Sequence, residues 1–140
     1  MSKQKKINRN IPINQGKLIK APQIIEMPDL DYPIFCFKHL HKHHNLDKCE
    51  ESEKKSLIEK IVKLSQLSWA DIQNAHRHGL GSEKIAISSI KPSRPSFLTD
   101  DVKFLLSLRF DGMKAMLGHR NRFIFHVLFI DRDFTVYDHG

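Results

Sequence analysis

The sequence predicts an α+β fold, with two helices from the N-terminal half packed on a mainly antiparallel sheet built by the C-terminal half. Three observations predict it. Apolar residues recur at helical spacing between residues 50 and 75. They switch to alternation from about residue 82. Turn signals such as Asp111-Gly112 and Asp131-Arg132-Asp133 then cut the second half into hairpins. Strand, helix, helix and a run of strands is the order expected when helices cover one face of a sheet. The 140 residues fit one domain, and 40% hydrophobic against 28% charged residues is a globular balance.

Residues 1–32 read as an extended basic arm, and residues 33–140 as a single α+β domain. The arm combines lysines with Pro12, Pro22 and Pro28 and shows no sustained period. Its first 25 residues carry six positive side chains (Lys3, Lys5, Lys6, Arg9, Lys17 and Lys20) and no acid. The formal charge of +7 is therefore mostly the arm's, since 17 basic residues face 16 acidic ones in the remainder. Within the body, residues 84–122 hold eight basic and three acidic side chains. A basic arm plus a basic patch suits a polyphosphate partner; a solvated surface is the plainer alternative.

Residues 33–40 read as the first strand, aromatic and β-branched with Pro33 at its start. Asp47 and Glu50 suggest a capping-box start for a helix over 50–66, with Leu57, Ile58, Ile61, Val62 and Ser65 on its apolar face. Ser68, three residues before Asp71, caps a shorter helix that begins at Trp69 and ends by Gly79 and Gly81. Strands follow over 82–90, 102–110, 114–119 and 122–130, with a turn near Arg120-Asn121. A last strand over 134–139 pairs back onto 122–130. The longest apolar run, over 123–130, is far short of the roughly 20 residues that span a bilayer. The polar N-terminus shows no secretory signal, so a cytoplasmic protein without a membrane partner is expected. Cys36 and Cys49 form no Cys-x-x-Cys pair and read as free thiols.

Alternation sorts the strand faces. Phe123, Phe125, Val127 and Phe129 make one core stripe; Val102, Phe104, Leu106, Leu108 and Phe110 make another. The opposite face gathers Arg109, Arg122, His126, Tyr137 and His139, a set suited to cleaving RNA through its own 2′-hydroxyl. Histidine titrates near neutrality and serves as base or acid. Arginine forks onto phosphate oxygens, and tyrosine stacks on a base or donates a proton. No metal or other cofactor is required. A second cluster, His76-Arg77-His78-Gly79-Leu80-Gly81 with Lys84, offers His78 and Lys84 as RNA contacts beside a possible anion seat. A third, His39-Leu40-His41-Lys42-His43-His44, carries zinc-ligand residue types but lacks the second pair of a zinc finger.

The stretch 116–139, ending Asp131-Arg132-Asp133-Phe134-Thr135-Val136-Tyr137-Asp138-His139, together with Trp69 and His78-Gly79-Leu80-Gly81, resembles a group of small bacterial proteins. That likeness spans roughly residues 33–140 and carries no activity to transfer. More distantly, the element order and the arginine-rich terminal hairpins resemble the RelE/ParE toxin superfamily. Its RelE-like members are ribosome-dependent mRNA endonucleases with metal-free Arg/Lys/His/Tyr sites on a sheet surface. The resemblance implies a cytoplasmic toxin-type endoribonuclease whose partners are RNA, such as ribosome-bound mRNA, and an antitoxin protein. It makes His126, Tyr137, His139 and Arg109 catalytic candidates, and Arg122, Arg120, His78 and Lys84 RNA contacts. Two alternatives stand beside it: a non-enzymatic, ParE-like inhibitor or binding module, and a zinc-dependent enzyme using the 39–44 cluster.

Overall fold

The computed structural model describes residues 30–75 and 79–139, so the arm expected over 1–32 lies almost entirely outside the described residues, as does His78. The described chain is an α+β fold with one five-stranded mixed sheet and two helices. Its elements are β1 (Ile34–Cys36), α1 (Glu51–Ser65), α2 (Trp69–Asn74), β2 (Ser82–Ala86), β3 (Phe104–Asp111), β4 (Lys114–Asn121) and β5 (Ile124–Asp131). The strand order is β1-β5-β4-β3-β2. β1 runs parallel to β5, and every other pair is antiparallel. No described helix is long and apolar enough to cross a membrane.

The capping box at α1 lies three residues later than expected, on Glu50 and Glu53. The Glu50 N–H donates to Glu53 Oε1 at 2.8 Å, while Asp47 instead closes a turn onto the Asn45 side chain. Ser68 caps α2 as its spacing predicts, its hydroxyl accepting the Asp71 N–H at 3.0 Å. α1 is rotated from the face expected for it. Leu57 and Leu64 are buried, whereas Ile58 and Val62 are 59% and 56% exposed. Position Glu53 explains the rotation. It is buried on the same stripe, where Arg132 Nε donates to it at 2.9 Å and Lys114 lies 3.4 Å away, so an ion cluster aims the helix.

Each sheet face has its own core. Leu57, Leu64, Trp69 and Ile72 of the helices meet Leu108, Phe110, Met116, Phe125 and Val127 on one face. On the other, Leu105, Ala115, Leu117, Leu128 and Phe129 lie under the 87–103 connection and the C-terminal tail, which contribute Leu98, Val136 and Tyr137. A β-bulge exchanges the faces midway along β5. Leu117 pairs with Phe129 but Gly118 pairs with Val127, which leaves Leu128 as the extra residue. Phe129 therefore leaves the helix-facing stripe expected for it, and Ile130 takes its place. Gly118 permits this close approach, because a Cβ there would stand 2.2 Å from the His126 carbonyl oxygen.

Three expected strands differ. The first stops at Cys36, and the Leu40 N–H turns back to the Phe37 carbonyl at 3.2 Å. The 82–90 strand stops at Ala86 and becomes a 3-10 turn over Ile87–Ser89. The 134–139 strand does not form. Asp131 Oδ1 accepts the N–H groups of Thr135 and Val136 at 2.8 and 3.2 Å, which takes backbone donors from any ladder with β5.

Candidate functional site

The sheet opens into a fork at one end. Pairing between β3 and β4 begins at Leu106 opposite Gly118, yet both strands extend past that point. Phe104 and Leu105 pair only with β2, while His119, Arg120 and Asn121 pair only with β5. The gap between them is a cleft of about 560 Å³, within the range of ligand-binding pockets. Lys84 of β2, Lys103 and Phe104 at the start of β3, and His119 and Arg120 of β4 line it, with Glu83 and Asp101 as acids.

The cleft residues are held differently. Lys84 and Lys103 are exposed, and the Phe104 ring is 55% exposed. The Arg120 guanidinium lies over the Trp69 ring, 4.3 Å from its centroid, and its Nε donates to the Arg122 carbonyl. His119 is half-buried. Burial pushes its pKa below the ordinary value of 6.5, with the Asp101 charge opposing that shift. His126 faces it across the ladder, its pKa lowered by burial first and then by His119 and His39. The Phe97 ring lies 4.7 Å from His126 and carries the His39 ring stacked on it at 3.9 Å. His126 Nδ1 is buried without a partner among the described residues. Both imidazoles are thus neutral near pH 7, which suits a proton acceptor and not a donor.

The surface expected to gather Arg109, Arg122, His126, Tyr137 and His139 divides into three places. Tyr137 is buried, its hydroxyl 2.9 Å from Ser107 Oγ, and its ring stacks on His139 at 4.0 Å. Burial raises the Tyr137 pKa, so its proton is held more tightly. His139 Nε2 lies 2.7 Å from Asp131 Oδ2, whose carboxylate is wholly buried. These two residues close a polar core and present nothing to a polymer. Arg109 neighbours that core, with Nη2 3.9 Å from a Glu83 oxygen. The register sets Arg109 opposite Ala115 and Ala115 opposite Asp131, roughly 15 Å along the sheet from His126. Arg122 is exposed in the two-residue β4–β5 turn with a positive φ of 57°. Of the named RNA contacts, Lys84 and Arg120 meet in the fork, and His126 stands directly behind it.

The 39–44 histidines divide: the His41 ring lies 5.1 Å from His44 and 5.8 Å from His43, and His39 stands apart from them. His39 stacks on Phe97, while His41 and His44 lean on Phe129 at 5.4 and 6.0 Å. Among the described residues no three His, Cys, Asp or Glu side chains meet in a metal-binding group. Cys36 and Cys49 are both free, as expected.

His119 is the site residue that the sequence reading passed over. The signal for it is the turn. With Arg122-Phe123 as the two-residue turn, rather than Arg120-Asn121, His119 falls opposite His126. Comparison with protein-family models, with curated proteins and with solved structures gives no match.

Proposed function

We propose that the fork binds single-stranded RNA, and that the protein is a RelE-like, metal-independent endoribonuclease of the toxin type with an antitoxin protein as its second partner. One observation carries the reading: a half-buried histidine, His119, shares a cleft with three cations and an exposed aromatic ring. Lys84, Lys103 and Arg120 offset the charge of a phosphodiester. Phe104 offers a stacking face to an unpaired base. His119 takes the proton of the 2′-hydroxyl, whose oxygen then attacks the neighbouring phosphorus. The bond to the 5′-oxygen breaks, and that oxygen takes a proton from water or the Lys103 ammonium. The products are a 2′,3′-cyclic phosphate and a 5′-hydroxyl. His126 acts through His119 as a positioning residue.

The closure of Tyr137 and His139 favours a second reading, a cleft that binds RNA without cutting it. Titration of a labelled single-stranded RNA across a salt series, with product analysis, separates the two. Lys84→Ala and Arg120→Ala should each weaken binding and lower the salt slope by about one. Binding without products leaves the non-enzymatic module, and an unchanged slope in both variants removes RNA from the fork.

A further inference from the structure

Phe97 ties the 87–103 connection to the forked end of the sheet. Its ring lies 4.7 Å from the His126 ring and 3.9 Å from the His39 ring, and the two imidazoles are 6.2 Å apart. His126 in turn has Cys36 of β1 and His119 of β4 as its register partners, so all three side chains share one sheet face. The segment that carries Phe97 is joined to the fork. Leu98 is buried in the core of that face, and Arg94 donates to the Thr99 carbonyl and, at 3.1 Å, to the Val102 carbonyl. That clamped turn leads directly into Asp101, Lys103 and Phe104, the β3 side of the cleft.

This setting accepts His126 only as a neutral ring. Its Nδ1 is buried and meets no partner among the described residues. A neutral imidazole can turn a lone pair to that spot, whereas an imidazolium carries N–H on both nitrogens and would bury a donor without an acceptor. The groups around it add to that cost. His39, from the loop after β1, and His119, on β4, both act to lower the His126 pKa, after burial as the first cause. Asp101 offsets the charge of His119 and not that of His126. Beyond His119 the fork holds Glu83 against the cations Lys84, Lys103 and Arg120.

We propose that Phe97 on His126 is an acid-released latch: a proton on His126 expels the Phe97 ring and loosens the β3 side of the fork, to which its segment is joined. The latch holds fully above the ordinary histidine value of 6.5 and lets go as pH falls through the lowered value of the closed state. It goes beyond the cleavage reading, because it governs the cleft whatever the cleft binds. Nuclear Overhauser contacts between the Phe97 and His126 rings, followed in the full chain from about pH 8 to about pH 5, read the latch. They should weaken severalfold, with the midpoint of the His126 imidazole titration. Over the same range the Trp69 indole N–H, which donates to the Phe123 carbonyl at 3.0 Å, should keep its chemical shift. His126→Gln stays neutral throughout and should keep the Phe97 ring on residue 126. A Phe97–His126 contact unchanged at the acid end overturns the latch, and so does release in His126→Gln at the pH of the unmutated chain. Loss of the Trp69 signal together with the contact also overturns it, since acid then unfolds the whole domain. The unmutated chain decides the matter even where His126→Gln misfolds. None of these readouts uses RNA, so the latch and the cleavage reading fail separately.

Discussion

At the forked end of the sheet His119 and His126 face each other across β4 and β5, with His119 in a cleft among cations. At the other end His139 is held on Asp131, with Tyr137 stacked against it and Ser107 behind. The two ends use the same residue types, and burial separates their roles. Asp131 spends its carboxylate on His139 and on two backbone N–H groups of the tail, so that cluster secures the cover over one sheet face. The fork histidines are only partly covered and lack such a carboxylate, so they keep a lone pair for chemistry.

The largest effect should come from His119→Ala. Loss of the base lowers the cleavage rate by about 10²–10⁴-fold, with RNA affinity and melting temperature little changed. His139→Ala should do the opposite, costing about 1–3 kcal/mol of stability by leaving Asp131 Oδ2 buried without its partner, with cleavage by the folded fraction intact. Calorimetry beside single-turnover kinetics reads both, and a large rate loss in folded His139→Ala would erase the distinction between the ends.

pH separates them again. Glu53, under the closed end, is held down to about 2 by the Arg132 hydrogen bond first and by the Glu50 backbone second, against an ordinary value of 4.5. A depressed carboxyl contributes fully above its ordinary value, so this stability is lost as pH falls from about 4.5 towards 2. Glu53→Gln should flatten the melting-temperature profile in that window. At the fork the His119 pKa lies below 6.5, so the cleavage rate should fall only on the acid side of 6.5. A rate that halves above pH 7 would contradict it.

The smallest effect belongs to the turn beside the fork. Arg122 adopts a φ of 57°, which costs a side-chain-bearing residue about 1 kcal/mol, so Arg122→Gly should raise stability by about that much. A lower melting temperature for Arg122→Gly would mean that its side chain contributes more than its backbone costs.

The contrast between the ends was only half legible in the sequence. The helix pair, the Ser68 cap and the three long strands follow from period and capping residues, because those signals are local. Facing depends on single-residue events that periodicity does not register. The extra residue Leu128 turns Phe129 away from the helices, and the turn at Arg122-Phe123 brings His119 opposite His126. Alternation places Tyr137 and His139 on a strand, whereas the Asp131 carboxylate folds that segment into a cap. Lys84 and Arg120 are legible as cations in the sequence, but their meeting in one cleft depends on where β3–β4 pairing stops. No periodic pattern marks that point.

Cleavage of an RNA bearing a single 2′-deoxyribose at the cut position tests the forked cleft most directly. This oligonucleotide should bind as tightly as its all-ribose counterpart and stay intact, while the counterpart yields ends carrying a 2′,3′-cyclic phosphate. Normal cutting of the deoxy-substituted strand would contradict the account, because the proposed nucleophile is then absent.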